Sequence, residues 1–157
     1  MTPIAHGIDL VEIDRIAGML TEHPQRFVER CFTAGEQRAA DGGTRRAEYF
    51  AGRFAAKEAI LKALGTGLSG GVSWTDLEVA RDPGGAPVIH LFGAAAARAA
   101  ELGITRWLVS ISHTRGSAVA SVIALGSVGY TSPSPTGRPL QRGSEPGGSN
   151  TEHGAPP

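Results

Sequence analysis

Apolar and polar positions follow two different periods along the first 126 residues, and the changes between them mark out the elements. IAHGIDLVEI reads as a strand. DRIAGMLTEHP switches to helical spacing and should stop before Pro24, because the residue before a proline is pushed out of the α region. PQRFVERCF reads as a second short helix. TAGEQRAAD reads as a third, with Thr33 a candidate N-cap and Glu36 three residues on, as in a capping box. DGGT breaks the run. RRAEYFAGRFAAKEAILKAL is a long helical pattern ended by Gly65. WTDLEVARDPGGAPVIHLF reads as two strands about a DPGG turn, and GAAAARAAELG as an alanine-rich helix closed by Gly103. RWLVSISH and SAVASVIAL are two more strands, with TRG between them. The order is β, helices, ββ, α, ββ. Hairpins dominate, which predicts an α+β fold: an antiparallel or mixed sheet with helices packed on one side.

Past Gly126 both periods vanish. From Ser127 to Pro157, Gly, Pro and Ser fill 17 of 31 positions, and only Val128, Tyr130, Leu140 and Ala155 are clearly apolar. Such a segment buries too little surface to offset its ordering entropy. Residues 1–126 are therefore expected to form one domain, long enough to bury a real core, and residues 127–157 a disordered tail. No internal repeat is visible.

Charge and composition remove several function classes. Lys+Arg and Asp+Glu are both 15, for a net charge of zero, which argues against a generally basic nucleic-acid binder. No apolar run approaches the ~20 residues of a membrane helix. MTPIAHGIDLVEID lacks a basic region followed by an apolar core, so no signal peptide is expected. The one cysteine, Cys31, excludes an intrachain disulfide and fits a reducing compartment. In the apolar run FVERCF it reads as a small core residue. The chain reads as soluble and cytoplasmic.

Both lysines, Lys57 and Lys62, fall in FAAKEAILKALGTG, whereas arginine carries the positive charge everywhere else. At about 100° per residue, Phe50, Ile60, Leu61 and Leu64 gather on one side of this helix, the expected core face. Lys57 falls nearer that side, as a structural group or an orienter of an acidic site. Glu58 and Lys62 share a different face with Ala51 and Ala55. One reading is a solvated i,i+4 pair. The other is that the alanines let a backbone or ligand come close, with Glu58 offering oxygen and Lys62 a point charge. Gly65, Thr66 and Gly67 follow on the same face; a glycine-rich turn there either caps the helix or wraps a phosphate.

Two further residues are out of place. Asp9 lies in a strand pattern between Ile8 and Leu10, although aspartate is depleted in strands and a buried carboxylate needs a partner. Either the strand ends at Asp9, or Asp9 is a metal ligand. Mg²⁺ is usually held by one or two carboxylates with phosphate oxygens and waters, and Glu58 is the natural second carboxylate. His113, in SISHT at a strand end, shares a face with Ile111 and Val109. It is either a satisfied structural histidine or, flanked by Ser112 and Thr114, part of a binding position.

Together these places resemble one family. GID (7–9) and FAAKEAILK (54–62) are similar to the two signature motifs of the 4′-phosphopantetheinyl transferases. RFVERCFT, GTG after the lysine helix, and SISHT near the end narrow the resemblance to the holo-[acyl-carrier-protein] synthase type, over roughly residues 4–125. The resemblance implies the 4′-phosphopantetheinyl transferase fold. It also implies transfer of the 4′-phosphopantetheine arm of coenzyme A to a serine of apo acyl carrier protein, with release of adenosine 3′,5′-bisphosphate, in support of fatty acid biosynthesis. By the motif match, Asp9 and Glu58 would hold Mg²⁺ and Lys62 would contact the phosphates. Arg53 and His113 would lie near the 3′-phosphate or nucleotide, with Gly65, Thr66 and Thr114 lining that pocket. Glu58 or a metal-held water would accept the serine proton.

The resemblance further implies a homotrimer with the site at the subunit interface, and a docking face for the acidic carrier at Arg15, Arg26 and Arg30. A solvated helix face is the alternative for these arginines, since Asp14, Glu22 and Glu29 are interleaved. Two other functions remain open: a non-catalytic module that binds coenzyme A or a carrier, and a different Mg²⁺-dependent nucleotide phosphohydrolase.

Overall fold

The structure, a computed structural model, describes residues 1–40 and 45–127. The expected break at DGGT and the tail beyond residue 127 lie outside the described residues. In chain order the elements are β1 (Thr2–Glu12), α1 (Ile13–Glu22), α2 (Pro24–Cys31), α3 (Ala34–Ala39), α4 (Arg46–Leu64), β2 (Leu77–Arg81), β3 (Pro87–Leu91), α5 (Gly93–Glu101), β4 (Ile104–His113) and β5 (Ser117–Gly126). A short 3₁₀ turn, Trp74–Asp76, leads into β2.

The predicted stops have their physical causes on view. Pro24 opens α2, where its missing N–H costs nothing. Thr33 and Glu36 form both halves of the expected capping box at α3. Gly65 takes φ 70° just past α4, a left-handed conformation that suits glycine.

All strand pairs are antiparallel. Among the described residues they form two sheets rather than one, ordered β1-β5-β4 and β2-β3. β1 runs through Asp9 without ending there: Asp9 pairs with Ala120, which also pairs with Ile111 on the opposite side. The inner face of the three-stranded sheet carries Val11, Ala118, Ala120, Val122 and Ala124, all buried. Helix α4 lies across that face.

The expected core residues of α4, Phe50, Ile60, Leu61 and Leu64, are buried. So are Ala51, Ala55, Ala56 and Ala59, because the sheet packs on one side of the helix and α1, β2 and α5 on others. A helix wrapped in this way has no simple polar face, and periodicity therefore understated its burial. Beyond it, Phe32 packs at a tilt against Phe50, 4.5 Å between ring centroids, and Phe54 stacks on Trp74 at 4.8 Å.

Gly7 sets how closely β1 and α4 approach. A Cβ at Gly7 would run into the backbone carbonyl of Ala59. Glycine on the strand and alanine on the helix thus let two backbones touch, and any larger residue at position 7 would force the elements apart. This contact places Asp9, two residues along the same strand face, beside the last turns of α4.

Candidate active site in two halves

The first half lies where β1 meets the C-terminal part of α4. Asp9 Oδ1 accepts a hydrogen bond from Lys62 Nζ at 2.8 Å, and the Ile8 carbonyl accepts another from the same ammonium at 3.0 Å. Asp9 is 16% exposed at its side chain and Lys62 53%, so the carboxylate is held inside while the ammonium reaches it from solvent. The hydrogen bond to Asp9 keeps Lys62 charged above its usual range. The solvated Glu58–Lys62 pair is not formed; Lys62 spans to the strand instead.

Glu58 is half-buried beside this pair. Burial, and then the negative charge of Asp9, push its carboxyl above the usual range. A carboxyl whose proton affinity is raised by a neighbouring carboxylate suits a site where a cation offsets the repulsion. Among the described residues no three acidic, histidine or cysteine side chains converge as a complete protein-made metal cage. That donor set fits Mg²⁺, which keeps waters and takes substrate phosphate oxygens around one or two carboxylates, better than it fits a structural metal. Gly65 and Thr66 follow one turn beyond Lys62. There Gly65, Gly67, Gly70 and Gly71 all have positive φ, and the Thr66 carbonyl accepts from Ser69 Oγ at 2.5 Å.

The second half is a cavity of about 700 Å³ at the other edge of the sheet, lined by Arg45, Tyr49, Arg53, Arg81, Ile111 and His113 among others. Arg53 is buried, and its Nε has no hydrogen-bond partner among the described residues. Its guanidinium lies 4.5 Å from the centroid of the Tyr49 ring, a cation–π contact. Burial pulls the Arg53 pKa down. The cavity wall also holds Arg45, Arg81 and His113 beside Glu36, Glu48 and Glu78; Glu36 is engaged by Lys57 and Glu78 by Thr33, so the unsatisfied N–H of the buried Arg53 is the group matched to an anion.

The expected pocket is therefore divided. Arg53 and His113 do share a cavity, and His113 is exposed into it rather than packed as a core histidine. Gly65 and Thr66 are with Lys62 instead. Thr114 is not in the cavity wall; its hydroxyl accepts from the N–H groups of Gly116 and Ser117 and shapes the β4–β5 turn. Arg53 and Lys62 are nine residues apart on one helix, so at about 100° per residue they emerge on opposite sides of it. Helix α4 itself stands between the two halves within one protomer. Tyr49, Arg45 and Arg81 were missed from the sequence. Tyr49 stands four residues before Arg53, a helical neighbour whose aromatic ring was the available signal.

Arg15, Arg26 and Arg30 are exposed on α1 and α2 and make no ion pair among the described residues. Arg15 is close enough to lower the proton affinity of Glu58, which places that end of the arginine face beside the acidic half.

Comparison with known proteins gives a consistent picture. The family model for the 4′-phosphopantetheinyl transferase superfamily matches residues 5–121. A holo-[acyl-carrier-protein] synthase of Koribacter versatilis is 50% identical over 117 residues, covering 74% of this chain and 94% of the relative. One of Herpetosiphon aurantiacus is 46% identical over 127 residues, covering 76% and 97%. Among solved structures, the holo-[acyl-carrier-protein] synthase of Neisseria meningitidis superposes with a TM-score of 0.71 at 33% identity, over 79% of this chain and 99% of that one. The Helicobacter pylori enzyme in complex with coenzyme A gives 0.68 at 32% identity, over 76% and 99%.

Proposed function

We propose, for a chain that belongs to the 4′-phosphopantetheinyl transferase superfamily and within it to the holo-[acyl-carrier-protein] synthases, a transfer site made from the two halves described above. The reaction is transfer of the 4′-phosphopantetheine arm of coenzyme A to a serine hydroxyl of apo acyl carrier protein, with release of adenosine 3′,5′-bisphosphate.

The observation that carries the site assignment is the meeting of Asp9, Glu58 and Lys62 at the Gly7–Ala59 contact. Asp9 and Glu58 would hold Mg²⁺, which when bound neutralises charge on the pyrophosphate as the P–O bond to the leaving nucleotide breaks. Lys62 has an exposed stem and is free to move its ammonium from Asp9 to a phosphate oxygen. The glycine turn after it presents backbone N–H groups to the same phosphates. Arg53, with Arg45, Arg81 and His113, grips the 3′-phosphate end and fixes the nucleotide while the arm departs. In this reading Glu58, or a water held by the metal, accepts the serine proton.

One molecule of coenzyme A engages both halves if neighbouring subunits supply one half each. The outer face of the three-stranded sheet supports such an assembly. Ile8 is 53% exposed and Leu10 64%, with Leu108 exposed on the far strand, an apolar face that a second copy would cover. A homotrimer is the assembly assigned here. Arg15, Arg26 and Arg30 form the carrier docking face and lead to the acidic half. No helix of the described residues is long and apolar enough to cross a membrane, in keeping with substrates met in the cytoplasm.

The test is incubation of the full chain with coenzyme A, Mg²⁺ and an apo carrier protein, followed by mass spectrometry of the carrier. Gain of the arm supports the reading. Binding without transfer would leave a carrier or coenzyme A module, and breakdown of coenzyme A without carrier modification a phosphohydrolase.

A further inference from the structure

Glu36 lies in the wall of the arginine cavity, yet its contacts run to the acidic half as well. The side chain is buried at the start of α3. Its Oε2 accepts from Lys57 Nζ at 2.7 Å and from the Thr33 N–H at 2.8 Å, and its Oε1 accepts from the Val79 N–H at 3.0 Å. Lys57, with no exposed surface, spends its other two N–H bonds on the carbonyls of Cys31 at 2.7 Å and Trp74 at 3.0 Å. The ion pair therefore ties α2, α3, β2 and the 3₁₀ turn to α4 at the residue immediately before Glu58.

A second line runs from the same residue. The Glu36 backbone carbonyl accepts from Tyr49 Oη at 3.0 Å, and the Tyr49 ring carries the Arg53 guanidinium. Position 36 thus reaches Glu58 through Lys57 and Arg53 through Tyr49.

Stability alone is a poor account of this arrangement. Burying two charges costs desolvation that their attraction barely repays, and a well-packed apolar pair fills such a space at least as well. What the pair adds is direction. Three fixed bonds at the Lys57 ammonium set the roll of α4 about its axis, and the roll decides where Glu58 and Lys62 emerge. The carboxylate bonds seat α3, and the seat of α3 sets the height of Tyr49 beneath Arg53.

We infer that Glu36 is a positioning residue that aligns the acidic and the arginine halves of the site together. The inference rests on the functional reading above, which assigns those halves their ligands.

The experiment titrates the wild-type chain, Glu36→Gln and Ile104→Ala with two probes separately: Mn²⁺, followed by its electron paramagnetic resonance signal, and adenosine 3′,5′-bisphosphate, followed by calorimetry. Ile104→Ala opens a cavity at the other end of β4 from His113 and controls for lost stability. Among folded molecules, Glu36→Gln is expected to raise both dissociation constants at least fivefold, while Ile104→Ala leaves both within twofold of wild type. A Glu36→Gln protein that binds either probe within twofold of wild type overturns the proposal. Wild type that binds neither probe removes the functional reading itself, and the inference with it. Should Glu36→Gln not fold, Tyr49→Phe cuts the second line by a single hydroxyl. It is expected to weaken the bisphosphate at least threefold with Mn²⁺ unchanged, and unchanged bisphosphate affinity overturns the proposal.

Discussion

Lys62 Nζ lies 2.8 Å from Asp9 Oδ1, a partner fifty-three positions away, although Glu58 stands one turn back on its own helix. The cross-element pair forms because Gly7 and Ala59 let β1 and α4 touch, which brings the strand carboxylate closer than the helix neighbour. Three side chains from two motifs become one charged corner, with two negative charges and one mobile positive charge.

Asp9→Asn and Glu58→Gln each remove a charge that a divalent cation needs and hardly any packing volume. Each is expected to lower transfer at limiting Mg²⁺ by at least a hundredfold with the thermal midpoint nearly unchanged. A Glu58→Gln enzyme that kept most of the wild-type rate would show that Glu58 is not a metal ligand.

Much of this was legible in the sequence where a local cause acts alone. Pro24, the Thr33–Glu36 capping box, Gly65 and the DPGG turn each fix a boundary through chemistry confined to a few residues, and each boundary is found. Asp9 was legible as an oddity because aspartate is unfavourable inside a strand. What stayed hidden depends on packing between distant segments. The full burial of α4 comes from elements on several sides of it, and the Lys57–Glu36 pair joins residues twenty-one positions apart. Periodicity and motif order did not show the division of the site, since they say nothing of which side of a helix faces which sheet edge; only the family resemblance, with its site at a subunit interface, pointed to it.

Removing residues 127–157 tests the expected domain boundary. The last strand of the described residues, β5, ends at Gly126. The shortened chain is therefore expected to keep its thermal midpoint within a few degrees and its transfer rate within about twofold, measured against full length. A large fall in either would show that these residues belong to the functional body.

The arginine face is tested by salt. Exposed charges are screened beyond ~8–10 Å at moderate ionic strength, whereas a phosphate held in a cavity is screened less. KM for the carrier is expected to rise steeply with salt and KM for coenzyme A only weakly. Arg26→Glu should raise the carrier KM several-fold and leave that for coenzyme A alone. Equal salt dependence for both substrates would return this face to a solvated helix surface.

Cys31 gives a check on the core. Burial pushes its thiol pKa up, against the opposing pull of Lys57 and then Arg30. An acid held above its usual range has less reactive thiolate at a given pH, and the buried sulfur is also shielded. At pH 8 a disulfide reagent is expected to label the native protein at least a hundredfold more slowly than the urea-unfolded chain. Comparable rates would mean that α2 does not pack as described.

The central claim is that one site is completed by two subunits. Glu58→Gln disables the acidic half and Arg53→Ala the arginine half, on opposite sides of α4. Each variant made alone is expected to be inactive. When the two are co-expressed and assemble at random, about a quarter of the interfaces pair an intact acidic half with an intact arginine half from the neighbour, and about a quarter of the wild-type transfer activity should return. Mixed assemblies as inactive as the separate variants would contradict the account, because both halves would then have to come from the same chain.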